Sequence, residues 1–426
     1  MKLFAVLLLL CFTGKSLIAQ NIHDVINVSE VERIVSVLAS DEMEGRKTFT
    51  PSIDRAADFI AASFKKDNLK YLGELSDYKQ SFYRTRSILS STGKADGKEI
   101  SADKILAVSV DSLLEIDQNS GYSSVSIDGS SSLFAEAMKL LGENKKYIVW
   151  VHTSHEKNFS RLSRLKRESA ETNAPIVFVL ANAIPKNYSF RIKNKIHQDY
   201  LANVVGIIPG KSLKDEYVIF SAHYDHLGIR KPDATGDSIY NGANDNASGT
   251  TAVLLLANYF SKLNDNERSL IFVAFTAEEI GGFGSQYFSK SIDPDKVVAM
   301  FNLEMIGTDS KWGKNSAFIT GYEKSDFGQI LQANLVHTPF KFEPDPYPAQ
   351  NLFYRSDNAT LAALGVPAHT ISTSKMDIEP NYHRQSDEVK TLDLPNMTEI
   401  IKAIALSSKS IISGKDTPSR VEKANR

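Results

Sequence analysis

Cysteine is almost missing: the 426 residues include one, Cys11. So few thiols exclude a disulfide framework and a thiolate metal site, and any bound metal must be held by histidine and carboxylate groups. Charge of one sign is missing too. Lys and Arg number 49 against 51 Asp and Glu, a formal net charge of −2. With no basic run either, there is no electrostatic reason to expect nucleic acid as a partner. Beyond the first dozen positions no stretch is apolar enough to span a membrane as a helix. What is there is a globular composition, 42% hydrophobic and 23% charged, at a length that suits two domains.

The one long apolar run is N-terminal. Lys2 precedes Leu3 to Phe12, Gly14 breaks the run, and Leu17-Ile18-Ala19 precedes Gln20. A positive start, a short apolar stretch and a small residue at the cut are the parts of a secretory signal. Residues 1–19 are therefore expected to be an export signal, with cleavage near Ala19 removing Cys11. A secreted or periplasmic bacterial protein follows, stabilised by a large core without disulfides.

Residues 20–86 read as the first part of a larger domain. Ser29 and Glu32 form a capping-box pattern that predicts a helix from Ser29 to Leu38. The segment SDEMEGRKTFTP reads as a loop, and Ser52 opens a second helix with Ala57, Ile60, Ala61 and Phe64 on one face. Residues 87–199 change texture: serine-rich stretches separate strand-like runs at Ile105 to Val110, Tyr147 to Val151 and Pro175 to Leu180. This is expected to be a smaller inserted domain, with His152 and His155 as turn residues because no carboxylate cluster accompanies them. Residues 200–413 alternate strands and helices: Tyr217 to Phe220, a helix from Thr250 to Phe260, then strands at Leu270 to Phe275 and Val297 to Leu303. Such alternation predicts an α/β sheet with helices on its faces. Residues 414–426 read as a polar, fraying tail.

The three strands each run into metal-capable residues. The first ends at His223-Tyr224-Asp225, the second at Glu278-Glu279 and the third at Glu304. Ligands of open α/β sheets gather at the carboxyl ends of strands, so these side chains would meet in one crevice. Asp245 lies in the small-residue stretch NGANDNASG just before the Thr250 helix, where its two oxygens could bridge two cations. His383 supplies a second imidazole from a late loop. Alone, Asp245 reads as a helix cap and Glu278-Glu279 as a solvated turn. Together the five candidates His223, Asp245, Glu279, Glu304 and His383 have the mixed nitrogen and oxygen chemistry that suits zinc.

The ordered set HYDH, GANDNASG, FTAEEIGGFGS, NLEMIG, YRSDN and YHRQSDE resembles metallopeptidase family 28, across about Asn203 to Asp387. The segment LASDEMEGR extends the likeness weakly toward the N-terminus. The resemblance implies a mixed, mainly parallel sheet flanked by helices, of the zinc exopeptidase type, and two zinc ions per chain. His223 and Glu304 would hold one ion, Glu279 and His383 the other, and Asp245 would bridge both. Glu278 would be the general base, and Asp225 would orient the His223 imidazole. The family usually has Asp where this chain has Glu304, and often His where it has Asn358.

The expected chemistry is peptide hydrolysis. A bridged water is activated by Glu278, and a tyrosine hydroxyl faces the oxyanion, with Tyr382 the first candidate and Tyr354 the second. The peptide substrate would lose N-terminal residues. A carboxypeptidase or a glutaminyl cyclase on the same fold, or a relative without activity, are the alternatives.

Overall fold

The computed structural model describes residues 21–167 and 174–424, so the export-signal reading of residues 1–19 lies outside the described residues. Chain contacts divide the protein into two compact units, one of residues up to Phe82 with Leu201 onward, the other Tyr83–Tyr200.

The first unit is built on an eight-stranded mixed sheet. Its strands are β1 (Lys79–Ala95), β2 (Tyr188–Ile208), β3 (Leu213–His223), β4 (Arg268–Phe275), β5 (Val297–Leu303), β6 (Ser316–Ile319), β7 (Lys341–Pro344) and β8 (Ala368–Ser372). The first two belong to this unit only in part. The order is β7-β6-β8-β5-β3-β4-β2-β1. The central run β8-β5-β3-β4 is parallel, whereas β2 and β6 run antiparallel to their inner neighbours. All eight residues of β4 are buried, the pattern of a strand covered on both faces.

Alternate residues serve opposite faces. On one face Val218, Phe220, Leu270, Phe272 and Phe301 pack under α1 (Val28–Leu38), α2 (Pro51–Lys66), α3 (Gly249–Leu263) and the helix Leu394–Ser407. Phe220 stacks on Phe272 at 5.5 Å and on Phe301 at 4.8 Å between ring centroids. On the other face Ile219, Ile271, Val273 and Met300 pack with Phe288, Leu361 and Val421. Burying each large side chain contributes about 1.5–3 kcal/mol.

Two local expectations are corrected. The first long helix is capped by Asn27, whose side chain accepts from the Glu30 amide, not by Ser29, which lies inside it. Residues 414–424 lack regular structure yet are anchored rather than frayed. Arg268 donates to the Asp416 carbonyl and the Thr417 hydroxyl, Arg420 donates to the Val297 carbonyl, and Val421 is buried.

The chain leaves β3 for β4 on one side, then returns past β3 to β5 on the other. That reversal opens a crevice at the carboxyl ends of the strands. The register brings the ends level: His223 pairs with Phe275, and Ser221 pairs with Asn302.

The second unit holds a four-stranded sheet with Ile105–Val108, Ile176–Leu180, Tyr147–Val151 and Ser123–Ile127 in that order. Apolar clusters cover both of its faces. A cavity of about 560 Å³ in this unit is lined by charged groups that include Lys94, Glu99, Glu115 and Arg191. Among the described residues no helix is long and apolar enough to cross a membrane.

Candidate metal centre

His223 is the last residue of β3 and is buried. Its Nδ1 lies 3.0 Å from the Asp225 carbonyl oxygen. A carbonyl only accepts, so Nδ1 carries the hydrogen and Nε2 presents its lone pair. Nε2 lies 3.3 Å from Asp245 Oδ1 and 3.3 Å from Glu304 Oε1. The Asp225 carboxylate is farther from the ring, 3.7 Å from Nδ1. The backbone of Asp225 is thus the nearer acceptor. Its carboxylate instead accepts from the amides of Glu278 and Glu279 at 3.0 and 3.3 Å, and burial raises its pKa to about 7.

After β4 the chain turns sharply, with Ala277 at φ 61°. The turn separates the two glutamates. Glu278 lines the pocket beside His223 and Glu304. Its pKa stands well above the ordinary carboxylate value because of burial, with Asp357, Glu304 and Glu279 adding to the rise. Glu279 faces two imidazoles instead. Its Oε1 is 2.7 Å from His226 Nδ1 and its Oε2 is 3.3 Å from His383 Nε2.

Asp245 sits between these groups. The loop before it needs glycine at Gly242, where φ is 59° and a Cβ would lie 2.3 Å from the Asp245 carbonyl oxygen. Asp387 holds the loop by accepting from the amides of Asn244 and Asp245 at 2.8 and 3.0 Å. Asn246 ties it to β5 by donating to the Leu303 carbonyl at 2.9 Å. The two carboxylate oxygens of Asp245 therefore diverge: Oδ1 faces His223, and Oδ2 lies 3.2 Å from His383 Nε2. Burial alone would raise its pKa, but the facing imidazoles of His223 and His383 outweigh that and lower it.

Glu304 follows β5, and its Oε2 accepts from Ser356 Oγ at 2.8 Å. Tyr382 lines the pocket, its ring stacked on His383 at 4.0 Å, and burial keeps its hydroxyl protonated. Tyr354 is not among the pocket residues; its side chain is exposed and its ring packs on Phe353.

Three residues outside the expected set complete the centre: His226, Asp387 and Ser356. His226 forms a second donor group with Asp245 and Glu279, beside the group of His223, Asp245 and Glu304. The second imidazole of HYDH was the available signal for it.

The donor set fits metal ions. Among the described residues no lysine or arginine pairs with Asp245, Glu279 or Glu304; every ion pair they make is with histidine. Buried carboxylates without a cation are costly, and divalent ions would offset that cost. Donors about 2.0–2.1 Å from a tetrahedral zinc lie about 3.3 Å from one another. The His223 and His383 separations match that edge, while the 2.7 Å contact of His226 with Glu279 is a hydrogen-bond length. The adjoining pocket of about 70 Å³ has apolar walls from Met305, Phe318, Leu352 and Met376.

Residues 203–407 match the sequence model of Peptidase family M28. Leucine aminopeptidase 1 of Trichophyton rubrum is 23% identical over 292 residues, covering 66% of this chain and 76% of that protein. Aminopeptidase YwaD of Bacillus subtilis is 31% identical over 118 residues, which cover 27% of this chain; the match spans 23% of that protein's length. In three dimensions, BSAP, a zinc aminopeptidase from Bacillus subtilis, superposes with a TM-score of 0.55 at 17% identity, covering 94% of this chain and 99% of that one.

Proposed function

The chain belongs to peptidase family M28, and from that membership and its buried donor cluster we propose that it is a secreted or periplasmic two-zinc aminopeptidase. The observation that carries the reading is the divergence of the Asp245 oxygens, one toward His223 and one toward His383. His223 and Glu304 would hold one ion, Glu279 and His383 the other, with Asp245 between them. His226 would orient Glu279 from behind, as its short contact suggests.

When bound, the two ions supply Lewis acidity that activates water and polarises the scissile carbonyl. The Glu278 carboxylate takes the proton of the attacking water and passes it to the leaving amine. The Tyr382 hydroxyl, kept protonated by burial, donates to the developing oxyanion. The apolar walls formed by Met305, Phe318, Leu352 and Met376 receive the side chain of the residue being released.

Metal analysis of the purified protein, with a panel of free and N-blocked dipeptides, tests the reading. About two zinc ions per chain and hydrolysis only of free N-termini are expected. Equal cleavage of N-blocked peptides would make it a carboxypeptidase. Ring closure of N-terminal glutamine without peptide hydrolysis would make it a cyclase.

A further inference from the structure

The segment LASDEMEGR carries no ligand, yet it ends in one of the largest fully buried side chains of the protein, Arg46 at 0% exposure. Burying a guanidinium costs several kcal/mol unless its donors are met. Four of its N–H groups are met, all by backbone carbonyls. Nε donates to the Tyr224 carbonyl at 2.8 Å, Nη1 to those of Leu38 and Asn241, and Nη2 to Gly242 at 2.8 Å. Tyr224 lies between His223 and His226. Asn241 and Gly242 begin the loop that carries Asp245. One planar group thus spans the two loops that present three imidazole or carboxylate donors, and ties both to the end of α1.

The surrounding segment repeats the connection. The Arg46 carbonyl accepts from the His226 amide at 3.2 Å. The Asn241 side chain donates to the Ala39 carbonyl at 3.0 Å and to Asp41 Oδ1 at 2.9 Å. The turn that delivers Arg46 is forced: Glu44, Gly45 and Arg46 all have positive φ. A Cβ on Gly45 would lie 2.3 Å from the Tyr240 carbonyl oxygen. Asp387 grips the same loop from its amides, so Arg46 and Asp387 hold opposite polar ends of the peptides before Asp245.

We propose that Arg46 is a positioning residue that fixes the His223–His226 and Asn241–Asp245 loops in ligand geometry before metal arrives. It touches neither the pocket nor a ligand side chain, so it acts on metal affinity and leaves substrate binding alone. Lysine cannot replace it, because an ammonium carries the charge but not a planar fork that reaches separate carbonyls.

The inference rests on the two-zinc reading, and the experiment separates the two. Metal-free wild type, Arg46→Lys and Arg46→Met are titrated with zinc against a chromophoric chelator, and folding is checked by circular dichroism. Both variants should bind zinc more weakly by about 10–100-fold, the usual cost of losing a group that orients ligands. At saturating zinc their KM for a dipeptide should equal that of wild type. Should both fail to fold, Asn241→Ala, which removes only the companion bonds to Ala39 and Asp41, is read in the same way. Zinc affinity within twofold (~2) of wild type in a folded variant overturns the inference, as does a lysine variant that restores affinity. A wild type that binds no zinc overturns the functional reading itself.

Discussion

His369 offers a measurable link between the fold and pH. It lies on β8, beside β5, the strand that leads into Glu304, and it is fully buried. Its ring stacks on Phe327 at 4.8 Å and packs near Phe353 at 5.5 Å. Nδ1 donates to the Thr320 carbonyl at 2.9 Å, so Nε2 accepts from the Ser325 hydroxyl at 2.7 Å, and the ring is neutral. Burial lowers its pKa from 6.5 to about 4. Below pH 6.5 the unfolded chain takes up a proton that the folded chain refuses. Stability from this group is therefore complete above 6.5 and is lost as pH falls toward 4. At about 1.4 kcal/mol per pH decade, that gap is worth about 3 kcal/mol. Buried Asp225 and Asp387 work in the opposite direction, their values raised by burial to about 7 and about 6. They are common to wild type and variant and cancel in a comparison. Chemical denaturation of wild type and His369→Gln from about pH 7 to about 4.5 is the assay. The variant should start less stable but lose less on acidification, closing most of that 3 kcal/mol difference in slope. Parallel curves through this range would refute the argument.

Glu278→Gln should retain about two zinc ions while turnover falls about 10²–10⁴-fold; Glu279→Gln should lose zinc as well, and mass spectrometry that found the reverse would exchange their roles. The apolar pocket walls predict that leucyl substrates exceed alanyl ones in kcat/KM by some tens-fold, from about 0.8 kcal/mol per buried CH₂; equal values would disprove the assignment. Protein recovered from an exporting bacterial host should begin near Gln20 on N-terminal sequencing, and an intact Met1 in the mature fraction would count against export.

The strands that carry the site were legible because they are buried on both faces. Val297–Leu303 stands in the structure with the bounds its apolar run suggests, and β4 differs from Leu270–Phe275 by two residues. Helix starts were less legible: Asn27 and Ser29 are both good caps, two positions apart, and tertiary packing decides between them. His226, signalled only by the second imidazole of HYDH, and Arg46 were hard to read for a different reason. His226 bonds Glu279 across 53 residues, and Arg46 reaches Asn241 across 195. A charged residue in a polar stretch reads as solvated, since arginine is rarely buried without a partner. The C-terminal segment misled in the same way, because its polar composition says nothing of the Asp416 carbonyl and the Thr417 hydroxyl it offers to Arg268.

These hidden residues share one electrostatic logic. A site for dications must keep several carboxylates ionised, close together and unpaired with protein cations, since a lysine or arginine on a ligand oxygen would compete with the metal. The fold orients them without lysine or arginine instead. Backbone amides hold Asp225 and Asp387, a serine hydroxyl holds Glu304, and imidazoles face Asp245 and Glu279. Arg46, a buried cation behind the site, spends its hydrogen bonds on carbonyls. It therefore fixes loop geometry without neutralising a ligand, and Asp245, Glu279 and Glu304 keep a net negative field that two zinc ions would satisfy.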